Sequence, residues 1–159
     1  MAENERAAET GLEEEDTAKD KYLTFDIASE VYGVEIADIK EIISVRPITE
    51  TPETPDYVEG VINLRGDIIP VIDARARFAQ ERKEYDEQTC IVVMEYDEYV
   101  VGLIVDRVRE VAFIGEASVS PPPRAKLNHQ NQYVKNIGRA SGNITFLMDV
   151  GKFLFWDRR

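Results

Sequence analysis

The chain has 159 residues, 43% of them hydrophobic, and a net charge of −12. That length fits one ordinary domain or two very small ones sharing a core, and the apolar share is enough for a packed interior. The acidic balance excludes a nucleic-acid partner, because phosphate binding needs a concentrated basic face.

Residues 1–20, MAENERAAETGLEEEDTAKD, hold eight acids against Arg6 and Lys19, and Leu12 is their only large aliphatic side chain after Met1. Such a segment cannot bury enough surface to offset its ordering entropy, so it reads as a disordered acidic tail ahead of a folded domain over 21–159. No signal peptide is expected, and the longest apolar run, YVVGLIV at 99–105, is far short of the roughly 20 residues of a membrane-spanning helix. The expectation is a cytoplasmic protein without membrane insertion. The single cysteine, Cys90, excludes an internal disulfide and any cysteine-built metal site.

From Lys21 onward, short aliphatic runs separated by turn residues predict an all-β chain. YLTFDIA alternates, with Leu23, Phe25 and Ile27 on one face, and VYGVEI returns after a turn. IADIKEI then shifts to helical spacing for about one turn before extending again. Pro47, Pro52 and Pro55 forbid a regular element through RPITETPETP. VINL and IIPVI predict strands around a turn at RGD, and Pro70, which has no amide donor, must lie on an edge or at a bulge. The runs 92–96 and 99–105 make a further hairpin around Asp97 and Glu98; PPP at 121–123 and NHQNQ at 128–132 form a loop; YVKNIGRA and ITFLMDV pair around SGN.

Two internal matches suggest a duplication. GVEIADIKEI at 33–42 aligns without a gap onto GLIVDRVREV, 69 residues later, and GDIIPVID at 66–73 aligns onto GNITFLMD, 76 residues later. The same order at similar offsets predicts two β-units of about five strands, small enough to close into barrels that remove their edges.

No constellation for catalysis survives. His129, the only histidine, lies in a polar loop far from Cys90, which opens the apolar run CIVVM and reads as a small core residue. Asp73 and Asp149 end matching repeats, each before a short segment that could be helical, and read as helix caps rather than as an acid–base pair. No catalytic residue, metal ligand or cofactor is therefore assigned. Arg65, beside Gly66 at the tip of an apolar hairpin, has two readings: a solvated turn arginine, or a recognition residue whose direction Glu41 would fix.

YGVEIADIKEI, VEGVINLRGDIIPVIDARARF, VVGLIVDRVREV and the final ITFLMDV, in this order and spacing, resemble the CheW family of bacterial chemotaxis coupling proteins over about residues 21–155. GVINLRG with the proline-containing strand after it is the most specific part. The resemblance implies two intertwined five-stranded SH3-like β-barrels with short helical turns, taken here as roughly 33–88 and 21–32 plus 89–159. It implies a non-enzymatic adaptor that couples the cytoplasmic tip of chemoreceptors to the regulatory domain of the histidine kinase CheA, in arrays at the inner membrane. Carried over, receptor binding would involve Ile39, Glu41, Arg65, Cys90, Val108 and Val111, in a groove between the barrels. Kinase contacts would involve Val45, Ile48 and Gly60. Cys90 departs from the bulkier aliphatic residue expected there. The alternatives are an adaptor of another chemosensory pathway, such as pilus motility, and a small-molecule-binding β-barrel.

Overall fold

The computed structural model describes residues 18–122, 131–140 and 142–154; most of the acidic tail and the loop with His129 lie outside them. The strands are β1 Lys21–Ile27, β2 Glu30–Glu35, β3 Ile39–Ser44, β4 Val58–Leu64, β5 Asp67–Asp73, β6 Cys90–Tyr96, β7 Tyr99–Val105, β8 Arg107–Phe113, β9 Val119–Ser120, β10 Val134–Ala140 and β11 Asn143–Met148. A 3-10 turn at Ile36–Asp38 joins β2 to β3, as the local change of period predicts. Short helices follow β5 (Ala74–Arg77) and β11 (Val150–Leu154). Asp73 accepts from the Ala76 amide at 3.0 Å and Asp149 from the Lys152 amide at 3.2 Å, so both aspartates cap, as expected.

The strands form two sheets, β8-β1-β2-β11-β10-β9 and β3-β6-β7-β5-β4. The expected all-β, two-unit architecture is present, but the chain divides differently. The hairpin β6–β7, assigned above to the second unit, belongs to the five-stranded sheet with β3, β4 and β5, and all of β2 stays with the six-stranded sheet. The cause is parallel pairing: Val71 of β5 lies beside Gly102 of β7, and Leu147 of β11 beside Gly33 of β2. Parallel partners are joined by long connections and leave no local trace in sequence.

These pairings confirm the duplication at the level of register. Shifting by 69 or 76 residues maps β3-β6-β7-β5-β4 onto β8-β1-β2-β11-β10, strand by strand. The pairing slips at Lys40 between β3 and β6, and at the matching Arg109 between β8 and β1. It slips again at Glu59 and at the matching Lys135. Each repeat thus gives its first hairpin to the other unit, which is what intertwines them.

Both sheets curl by one device. The chain after β3 returns to β4, where Thr49 and Val61 exchange backbone hydrogen bonds of 2.9 and 2.8 Å. The chain after β8 returns as β9 to pair with β10. Gly60 permits the first closure: its φ is +147°, and a Cβ there would strike the Thr49 carbonyl. Pro70 faces Val61 on β4, and the other side of β5 meets β7 only from Val71 onward, so the missing amide lies on the open stretch.

One apolar cluster spans both sheets, with Phe25, Tyr32, Val92, Met94, Phe78 and Phe153 among its fully buried members. A second cluster, including Ile62, Val71, Ile91 and Val93, fills the five-stranded unit alone. Arg77 fastens the units together. Its guanidinium lies 4.1 Å from the Tyr57 ring centroid and 4.7 Å from that of Tyr133, and Nε donates to the Phe153 carbonyl at 2.8 Å. Tyr57 and Tyr133 are themselves equivalent positions of the two repeats, 76 residues apart.

Candidate docking surfaces

Arg65 and Gly66 form a two-residue hairpin loop with φ of +53° and +90°, the geometry that matches the twist of the flanking strands. The Gly66 amide donates to the Asn63 side chain at 2.8 Å, which braces the turn. A non-glycine residue at positive φ is disfavoured, so the turn holds Arg65 in a costly backbone state that aims its side chain. The target is Glu41 on β3. Arg65 Nη1 and Nη2 donate to the two carboxylate oxygens at 2.6 and 2.8 Å, a bidentate fork. The Arg65 hydrogen bonds hold the Glu41 carboxyl below the usual carboxylate range, and the charges of Arg65, Arg46 and Lys40 add to the effect. In return the Arg65 guanidinium is pushed further above its already high value. The fork is exposed, so its role is to fix direction, while its contribution to stability is small.

Glu41 fixes the direction of the Arg65 guanidinium, which stays exposed to solvent. The fork lines a hollow of about 460 Å³ together with Lys40, Leu64, Ile68, Pro70 and Tyr99, among others. All its walls belong to the five-stranded unit. Ile68 and Tyr99, 64% and 49% exposed, are apolar surface that the sequence reading missed. Their signal was an apolar side chain next to a hairpin turn, which periodicity alone does not separate from core.

The other sequence-derived receptor positions fall elsewhere. Ile39, Cys90 and Val108 are half-buried and pack on the cluster shared by the two sheets. Ile39 and Val108 are equivalent residues: Ile39 pairs with Met94, and Val108 with Phe25. Cys90 faces Ser44 across the β3–β6 ladder, and its thiol donates weakly to the Gln88 carbonyl at 3.4 Å. Val111 stands 54% exposed on β8, and its equivalent Ile42 is 43% exposed on β3. The structure therefore joins Glu41 to Arg65 directly, and joins Ile39, Cys90 and Val108 through one core.

Val45 and Ile48 are half-buried against the private core of the five-stranded unit. Gly60 is different. It is buried beneath Thr49, so it shapes the surface around it and offers no surface of its own. Among the described residues, no helix is long and apolar enough to cross a membrane.

Two intertwined β-units, exposed apolar residues at matching places and an aimed ion pair make up a two-sheet β-module. The CheW-like domain family matches residues 21–157. The chemotaxis protein CheW of Klebsiella aerogenes is 34% identical over 139 residues, covering 87% of this chain and 84% of that protein. The crystal structure of the scaffolding protein TtCheW from Thermoanaerobacter tengcongensis superposes with a TM-score of 0.76 at 37% identity, over 82% of this chain and 88% of that one. Protein FrzA of Myxococcus xanthus is 25% identical over 123 residues, 77% of this chain and 76% of that protein. The chain belongs to the CheW-like domain family, whose members are chemotaxis scaffold and adaptor proteins.

Proposed function

We propose that this chain is a non-catalytic adaptor in the cytoplasm that couples the tip of a chemoreceptor to the regulatory domain of the histidine kinase CheA, within arrays at the inner membrane. The observation that carries the reading is the Arg65–Glu41 fork, held at a strained turn beside exposed apolar residues. Apolar burial over Ile39, Cys90, Val108 and Val111 would hold an amphipathic receptor helix, while the fork sets its register. Val45 and Ile48 would meet the kinase, with Gly60 shaping that surface through Thr49. One adaptor holding both partners raises their effective concentration, and repeated links extend an array. A second reading is the same adaptor role in another chemosensory pathway, since a relative can carry a name other than chemotaxis protein CheW, as Protein FrzA does.

The test is a pull-down of the receptor tip and the kinase regulatory domain with wild type, Arg65→Ala and Val111→Asp. Both side chains are exposed, so both variants should fold. Receptor capture should fall about tenfold or more while kinase capture holds. Receptor capture equal to wild type in both variants would remove the assignment.

A further inference from the structure

Along the described strands the chain passes between the two sheets twice, from β2 to β3 through the 3-10 turn at Ile36–Asp38 and from β7 to β8 through the single residue Asp106. The second passage is gripped from both sides. On the six-stranded side, the Asp106 amide donates to the Asp26 carbonyl at 3.0 Å, and the Asp106 carboxylate accepts from the Ala28 amide at 2.8 Å. On the five-stranded side stands Arg75, on the short helix after β5. Its Nε lies 2.9 and 3.0 Å from the two Asp106 carboxylate oxygens, and its Nη2 donates to Oδ2 at 2.7 Å. We propose that the Arg75–Asp106 pair is a clamp that sets the angle between the two units, and that it thereby positions, for the receptor, the groove wall that begins at Val108. This rests on the reading of Ile39 and Val108 as receptor contacts.

The pair is built to hold a geometry. Arg75 and Asp106 are only 21% and 15% exposed, so salt and water screen them little, and the planar fork meets the carboxylate at both oxygens. Arg75 Nη1 also donates to the Glu81 carbonyl at 3.1 Å, which fixes the guanidinium at its far side. The same helical turn carries Arg77, which donates to the Lys152 and Phe153 carbonyls of the last helix. One attachment leaves a swivel, whereas two separate ones on a single turn fix a direction. The shared apolar core holds the units together, but apolar burial is non-directional and leaves the angle to these bonds. The first passage has no such clamp. In the repeat alignment Ala37 stands at the place of Asp106 and Gly151 at that of Arg75, and no residue of the 3-10 turn is buried. Ile39 lies two residues beyond Ala37, and Val108 two beyond Asp106, so the spacing of the two groove walls follows the angle that the clamp sets.

Residual dipolar couplings of the backbone amides report the relative direction of the two sheets, which a merely stabilising contact would not move. They would be measured on the full chain in wild type, Asp106→Asn, Arg75→Gln, Arg75→Lys and Val111→Asp. Each variant would also be melted and titrated calorimetrically with a receptor-tip hairpin and with the kinase regulatory domain. In wild type, couplings from both sheets should fit one alignment. In Asp106→Asn and Arg75→Gln each sheet should fit by itself while the two no longer share an alignment. Receptor affinity should fall about fivefold or more, and kinase affinity should hold, because Val45 and Ile48 pack on one unit alone. Arg75→Lys keeps the cation and the stem without the fork, so it should fold and fall between wild type and Arg75→Gln. A common alignment in the folded clamp variants overturns the inference, whatever their melting temperature or affinity. An altered alignment with receptor affinity unchanged, where Val111→Asp does lose receptor, overturns the positioning role, as does an equal loss of receptor and kinase. An altered alignment with receptor affinity unchanged in Val111→Asp as well removes the groove reading and leaves the clamp standing.

Discussion

The five-stranded unit and its counterpart built from β8, β1, β2, β11 and β10 share a skeleton and differ in what they display at equivalent openings. In the first, Lys40, Glu41 and Arg65 stand with Ile68, Pro70 and Tyr99 around the hollow. In the second, a hollow of about 450 Å³ is lined by Thr24, Arg107, Arg109, Glu110, Asn143 and Thr145. Glu110 matches Glu41, and the position matching Arg65 holds Ser141, outside the described residues. Arg107 and Arg109 turn instead to Asp26, at 3.3 and 2.5 Å. Two pairs of exposed apolar residues are kept, Ile42 with Val111 and Ile68 with Ile144, while Tyr99 and Phe113 match Glu30 and Ser44. Backbone geometry has thus stayed common to both repeats while the charges have diverged, because register errors disrupt a whole sheet and an exposed charge can change at little cost.

The largest contrast should come from the two bulges. Gly60 and its equivalent Asn136 occupy the same place in β4 and β10, yet only Gly60 has a positive φ. Gly60→Asn should destabilise by about 3 kcal/mol or more, since strain adds to the collision with Thr49, whereas Asn136→Gly should cost about 1 kcal/mol or less. Urea denaturation of both would decide it; equal losses would mean that the two closures are not built differently.

A smaller asymmetry is expected at the caps. Asp73 is buried and also accepts from the Tyr85 hydroxyl at 2.7 Å, while Asp149 is bonded to its helix at 3.2 Å. Asp73→Ala removes a cap and leaves the Tyr85 hydroxyl without its acceptor, which predicts a loss of about 2 kcal/mol against about 1 for Asp149→Ala. Thermal unfolding of the two variants ranks them, and the reverse order would refute the assignment.

The smallest effect concerns the fork. The folded pKa of Glu41 is depressed, so its favourable contribution is present above the unfolded value and fades as pH falls through the folded one. At neutral pH the pair is fully charged. In Arg65→Ala the Glu41 carboxyl should titrate at higher pH than in wild type, read by NMR, with almost no change in melting temperature. An unmoved titration would show that Arg65 does not hold Glu41 in solution.

Much of this was legible in the chain because it is local. Alternation in YLTFDIA, the Asn-Leu-Arg-Gly turn, the aspartates before ARAR and VGKFL, and the single turn at IAD all act over a few residues, where period and turn chemistry decide. The repeats were visible for the same reason. Sheet membership of 90–105 was not, because it depends on parallel pairing between Val71 and Gly102, 31 residues apart in sequence. Gly60 looked like a contact residue, and its burial appears only once Thr49 is folded over it.

The sequence by itself determined most of the elements, their caps, the duplication and the family, since each is written in neighbouring residues or in their order. Tertiary structure alone decided which hairpin each unit adopts and that Arg65 reaches Glu41 across 24 residues. Those outcomes follow from where a curled backbone brings distant side chains, and no local pattern carries that distance.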